Sequence, residues 1–275
     1  MRLTKILAIL IICIIGLKAV WALAYPTSNH RFRLTVNVET PQGLKSGSSV
    51  METVVIRQPG WFGLRNGTIS HAELNGEAVF VDLGPAAEGR PSNLIALLAW
   101  GPRGTGPDFA DIPRRAFSDY LDARHRDRIK LLYNRQASPK DKAPLADCEN
   151  GGDSYCELSK LPVGARREFR GDLIPTLITL ANPDDPKSAK VVRPDALQGT
   201  FGAGFHLRDA TLEFVMPGSW PLNMFGMGGE PLTREIEVKL PRIFEAFRSR
   251  PQPGFSTERM EDPFVLRRAQ LKLEY

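Results

Sequence analysis

Arg31-Phe32-Arg33-Leu34-Thr35-Val36-Asn37-Val38-Glu39-Thr40 decides the fold class. Phe32, Leu34, Val36 and Val38 fall on one side of an extended chain, and Arg33, Thr35 and Asn37 on the other. A period of two marks a strand with one buried face, because successive side chains point to opposite faces of a sheet. Pro41-Gln42-Gly43 supplies a turn. Ser48 to Arg57, rich in β-branched residues, then predicts the return strand of a hairpin.

The same reading extends toward the C-terminus. Ile69–Leu74 and Glu77–Leu83 bracket Asn75-Gly76, which predicts a second hairpin, since both turn residues tolerate positive φ. Leu94–Trp100 and Leu173–Ala181 read as apolar strands, the second despite Pro175. His206–Met216 alternates, and Ala269, Leu271, Leu273 and Tyr275 predict a last strand running to the C-terminus. Arg114–Tyr133 predicts a helix with Phe117, Leu121, Ile129 and Leu132 along one stripe. Gln136–Arg170 is turn-rich and predicts an excursion over the surface. Pro194–Gln198 predicts a short helix with proline in its first turn. Thr233 is placed to cap a helix whose contacts are Ile236 and Leu240, and Pro241 ends it or starts another through Phe247. Strands outnumber helices and follow one another through turns, so the expectation is an α+β fold, a largely antiparallel sheet with a few peripheral helices. Gly101–Pro113 is either a linker or one loop of a single domain over residues 25–275.

Toward the N-terminus the chemistry changes. Arg2 and Lys5 precede an apolar run from Ile6 to Leu17, and Ala22-Leu23-Ala24 follows just before Tyr25-Pro26. A basic start, an apolar stretch and a small-x-small site are the parts of a secretory signal. Ile6–Ala24 is also nearly long enough to span a bilayer, with Lys18 able to snorkel outward and Trp21 and Tyr25 suited to the interface. Residues 1–24 are therefore a signal peptide or a retained transmembrane anchor, and both imply an extracytoplasmic domain, periplasmic in a Gram-negative cell. Ile11 and Ile12 are too large for the residues that precede a lipoprotein cysteine, so Cys13 is not one.

Apolar residues make up 42% of the chain and charged residues 24%, as in an ordinary globular protein, which argues against overall disorder. Arg2, Lys5 and Lys18 supply three of the net +5, and the remaining basic residues are interleaved with acids, as in Arg124-His125-Arg126-Asp127-Arg128. Nucleic-acid binding is not indicated. Cys148 and Cys156 flank a Gly-Gly turn; in an oxidising compartment they predict a local disulfide, worth about 2–3 kcal/mol on the loop-entropy account.

Motifs for chemistry are sparse. Ser48 or Ser49, with His71 or His206, are the only arguable actors of a hydrolase, and no G-x-S-x-G elbow occurs. His30, His71, His125 and His206 are far apart and give no metal-ligand spacing. Asp147, Glu149, Asn150 and Asp153 do not match an EF-hand. Gly101–Gly106 and Gly199–Gly204 match neither a phosphate loop nor G-x-G-x-x-G. No catalytic residue, metal or cofactor is assigned. Trp220-Pro221-Leu222-Asn223-Met224-Phe225-Gly226-Met227-Gly228-Gly229 is apolar yet rich in glycine and proline. Trp220, Leu222, Met224, Phe225 and Met227 make this a candidate interaction loop, joined by Trp61-Phe62; the alternative is a loop folded back as core filler.

Several phrases carry a resemblance. They are Arg33-Leu34-Thr35-Val36, Val38-Glu39-Thr40-Pro41, Gly47-Ser48-Ser49-Val50, Gly76 to Gly84, Asn182-Pro183-Asp184-Asp185-Pro186, Phe201-Gly202-Ala203-Gly204, and Pro231 to Pro241. Together they resemble a family of uncharacterised proteobacterial proteins with an N-terminal membrane or signal segment. The resemblance covers most of the chain after residue 30 and implies a bacterial envelope setting; it brings no catalytic residue. The leading expectation is a non-enzymatic envelope protein that binds a protein partner or a membrane surface. The alternatives are a periplasmic hydrolase-like enzyme and a purely structural envelope domain. Oligomeric state is not legible.

Overall fold

The computed structural model describes residues 16, 27–57, 70–85, 89–100, 109–133, 154–218, 228–248 and 268–273. The strands are β1 (Thr27–Thr40), β2 (Gly43–Arg57), β3 (Ser70–Glu77), β4 (Val79–Asp82), β5 (Asn93–Trp100), β6 (Arg166–Glu168), β7 (Pro175–Leu180), β8 (Ala189–Val192), β9 (His206–Phe214) and β10 (Lys272–Leu273). The helices are α1 (Ile112–Ala116), α2 (Ser118–Tyr133), α3 (Ser154–Leu158), α4 (Leu197–Phe201), α5 (Ile236–Lys239), α6 (Pro241–Arg248) and α7 (Arg268–Leu271). The fold is α+β, with two antiparallel sheets in the orders β10-β3-β2-β1-β9-β6 and β4-β5-β7-β8.

Alternation on β1 does what its pattern dictates. Phe32, Leu34, Val36 and Val38 are buried against Val79, Val81, Leu94, Ala96 and Leu98 of the second sheet. That second sheet is covered on its other face too. Ile95, Leu97, Ala99, Ile178 and Leu180 meet Ile236, Leu240, Ile243, Phe244 and Phe247 of the C-terminal helices, and Leu271. The layers are sheet, sheet, helices, which explains why β5 and β7 are buried at every position. A strand apolar on both sides is the sequence trace of a sheet covered on both faces.

Several expectations are corrected. Asn75-Gly76 is no turn: β3 runs through it to Glu77 and passes at Ala78 into β4 of the other sheet. Gly76 is needed for space, since a Cβ there would sit 2.5 Å from Met51 Cγ. Likewise a Cβ on Gly47 would lie 2.4 Å from the Phe80 carbonyl oxygen, where β2 crosses β4. Thr233 does not cap α5; its hydroxyl accepts from the Val50 N–H at 2.8 Å. The buried carboxylate of Glu77 does so instead, accepting from the N–H groups of Glu235 and Ile236 at 2.6 and 3.1 Å. Negative charge at a helix N-terminus satisfies donors that the helix itself leaves open. Among the described residues the C-terminal strand is Lys272–Leu273, because Arg268–Leu271 forms α7 and buries Leu271; Tyr275 lies outside them.

Part of Gln136–Arg170 is core, not surface excursion: Tyr155, Leu158 and Phe169 are buried in the cluster between the sheets. Residues 101–108 of the linker candidate are outside the described residues. Phe109, Ala110 and Ile112 belong to the same core cluster as β1, β7 and β9, so these residues are packed in and not a linker. The helix foreseen over Arg114–Tyr133 begins at Ile112 and breaks at Phe117.

Candidate functional site

The long hairpin β1–β2 gives the sandwich two ends. Thr27 pairs with Ile56 and Arg57 with Ser70, so the start of β1 and the ends flanking residues 58–69 lie together. The Val215 N–H bonds to the Arg31 carbonyl at 3.0 Å, which brings the end of β9 close to them. Pro41-Gln42 is the opposite end, about 40 Å away along β1 at ~3.3 Å per residue.

At the first end Arg31 is the organising residue. It is 4% exposed although it sits on the outward side of β1. Its Nε and Nη2 donate to Glu52 Oε1 at 3.2 and 3.0 Å. Its Nη1 donates to the carbonyls of Gly228 and Glu230 at 3.1 and 2.6 Å. Arg33 pairs with the Glu230 carboxylate, and the Glu230 N–H bonds to the Met216 carbonyl at 2.9 Å. Gly229, at φ +69°, is the residue that allows this closure: a Cβ would meet Pro217 at 2.5 Å. The described residues on either side of 219–227 are thus tied to each other and to β1. Trp220, Leu222, Met224, Phe225 and Met227 themselves, like Trp61-Phe62, are outside the described residues.

Nearby, between the sheets, His30 stacks on Tyr155 with ring centroids 6.3 Å apart. The Tyr155 hydroxyl donates to Asp111, whose other oxygen accepts from Arg114 Nη2 at 2.6 Å. Burial raises the Asp111 pKa, but the hydrogen bonds from Arg114 and Tyr155 outweigh it and hold the carboxyl below its ordinary range. A carboxyl depressed on folding stabilises the fold above its unfolded pKa, about 3.9, and that stabilisation is lost as pH falls through the folded value. Thermal melts between pH 2 and 7 should therefore show Asp111→Asn with a shallower acid decline than the wild type. Parallel acid limbs would contradict this assignment.

The second end holds a groove of about 230 Å³. Three separate turns build it. Pro41-Gln42 comes from the β1–β2 turn, Leu83-Gly84-Pro85 from the end of β4, and Phe201 to Phe205 from the end of α4. Gly84 has φ +83° and its N–H bonds to Asp82 Oδ1 at 2.9 Å. The Leu83 N–H bonds to the Ser92 carbonyl at 2.9 Å, which closes the excursion carrying Arg90 and Pro91. Gly202 ends α4 at φ +115°, ψ 178°, a conformation that only glycine adopts without strain. The Arg90 guanidinium lies against it, with Nη1 2.1 Å from where a Cβ would stand. Phe201 and Phe205, with centroids 5.8 Å apart, form the aromatic wall. Phrases singled out in the sequence for another reason, Thr40-Pro41, Leu83-Gly84 and Phe201-Gly202-Ala203-Gly204, meet here.

The serines and histidines of the hydrolase reading are not brought together. His206 pairs with Glu39 and Ser48 with Thr35, four residues apart on β1, about 13 Å by strand geometry. His71 lies across from Ile56, seven residues along β2 from Ser49. Ser49 is buried, and His206 and His125 are exposed. Among the described residues no three His, Cys, Asp or Glu side chains are grouped to hold a metal ion. Cys156 falls on α3, while Cys148, its expected partner, is outside the described residues. No helix among the described residues is long and apolar enough to cross a membrane, and residues 1–24 other than Gly16 lie outside them.

Comparison with protein-family models, with curated proteins and with solved structures gives no match. What this site does is therefore argued from its geometry.

Proposed function

We propose that this chain is a non-enzymatic binding module of a bacterial envelope. It is exported by residues 1–24, sits with its Thr27 end toward the membrane, and presents the groove at its other end. One observation carries the reading: the strand register gathers the start of β1 and the described ends flanking 58–69 and 219–227 at one end of the sheet. Trp61, Phe62, Trp220 and Phe225 occur in those two segments, and aromatic residues favour the membrane–water interface. The groove, some 40 Å away, then faces the aqueous compartment.

The test is a depth measurement on the full chain in lipid nanodiscs. A fluorescent amino acid at Ser70 is expected to be quenched by nitroxide-labelled headgroups, and one at Gln42 is not. Equal quenching, or the reverse order, would overturn the orientation. The intact mass of the same protein is expected to be two hydrogens light, from the Cys148–Cys156 bond, and recovery of both thiols under non-reducing conditions would remove the disulfide.

A further inference from the structure

From the groove at the Pro41 end we infer a docking site for an extended acidic segment of another polypeptide, bound through a glutamate or aspartate side chain flanked by apolar residues. The inference names the partner of the face proposed above and rests on that reading.

Two cations border the groove without an anionic partner among the described residues. Arg90 is exposed and its Nη1 reaches Gly202, and no carboxylate among the described residues pairs with it. Lys45 points inward from β2 toward the same space, its Nζ 3.7 Å from where a Gly84 Cβ would stand, and it too makes no ion pair. Asp82, which accepts from the Gly84 N–H, keeps its negative charge beside them, so among the described residues the two cations exceed it by one. The excess among the described residues is positive, and its complement is an anion.

The walls say what carries that anion. Pro41, Pro85, Pro91, Phe201 and Phe205 present rigid apolar surface. Proline and aromatic walls suit an extended chain, which they contact at little cost in lost rotamer freedom. The volume, about 230 Å³, takes one or two side chains. A guanidinium offers a carboxylate a two-pronged hydrogen bond.

The experiment uses the full chain in nanodiscs and fluorescence anisotropy. The probe is an N-acetylated, C-amidated peptide with one glutamate between two leucines; its controls carry glutamine in place of glutamate, or glutamine with a free C-terminal carboxylate. The glutamate peptide is expected to bind about ten-fold more tightly than the glutamine peptide, and more weakly as salt is raised. Arg90→Ala should abolish that preference and Arg90→Lys should keep part of it. Arg90 is exposed, so an unchanged melting temperature confirms that each variant is folded. Equal binding of the glutamate and glutamine peptides would overturn the inference, as would no binding by any peptide. Binding that follows the free C-terminus and ignores the glutamate would overturn it in favour of chain-end capture. Each of these outcomes leaves the lipid-quenching pattern untouched, so the two readings fail separately.

Discussion

Arg31→Ala is expected to cost about 3–5 kcal/mol, the largest loss of any single polar substitution in this chain. The reason is what the arginine leaves behind. Glu52 is 8% exposed, and Arg31 is the cation that pairs with its carboxylate. Two carbonyls, of Gly228 and Glu230, would lose the same donor. Removing one partner of a buried pair leaves a charge out of water with nothing to offset it. For a chain of this size the melting temperature should fall by roughly 10 °C, at ~2–4 °C per kcal/mol. The paired replacement Arg31→Met with Glu52→Leu removes both charges and should recover most of the loss. If the double variant is no more stable than Arg31→Ala, the cost lies in the lost carbonyl contacts. If Arg31→Ala melts like the wild type, the ion pair is not buried in solution.

A comparable loss is expected from Phe244→Ala, at about 3–5 kcal/mol. Phe244 is 2% exposed on α6 and packs with Phe247, ring centroids 6.1 Å apart, over the outer face of the second sheet. The cavity would open against Ile95, Leu97 and Ile178, residues on strands that cannot shift without breaking β5–β7 pairing. Phe244→Leu keeps most of the volume and should cost less than half as much. Urea unfolding separates the possibilities. A lower midpoint at unchanged slope reports a cavity, whereas a reduced slope reports that α6 has come away from the sheet in the native state.

The elements legible in the sequence are those whose pattern is local. β1 was written in the alternation of Phe32, Leu34, Val36 and Val38, and β5 in the unbroken run from Leu94 to Trp100. What escaped depended on residues far along the chain. Arg31 looks solvent-facing by alternation, yet Gly228 and Glu230, about two hundred positions away, cover it. Thr233 looks like a cap, yet Val50 claims its hydroxyl and Glu77 caps α5. Asn75-Gly76 looks like a turn because the sequence does not show that Met51 requires a glycine opposite it. The groove was invisible for the same reason. Its signal, glycines at Gly84 and Gly202 beside prolines and phenylalanines, reads as ordinary turns until the three turns are seen to meet. Asp111 and Tyr155 likewise gave no spacing to recognise.

The placing of β1 has a mechanical consequence. It is the first strand among the described residues, and it lies in the interior of its sheet, paired with β2 over fourteen positions and with β9 over eight, with a register shift between Asn37 and Val38. A pull on Thr27 directed along the strand, away from the Pro41 end, loads those two ladders in shear, so that many bonds bear the force at once. The same pull on an edge strand, directed across the sheet, would open its bonds one after another like a zip. A load arriving from the N-terminal side thus meets the most resistant direction of the sheet, and the groove at the far end is expected to keep its shape while the chain below it is under tension.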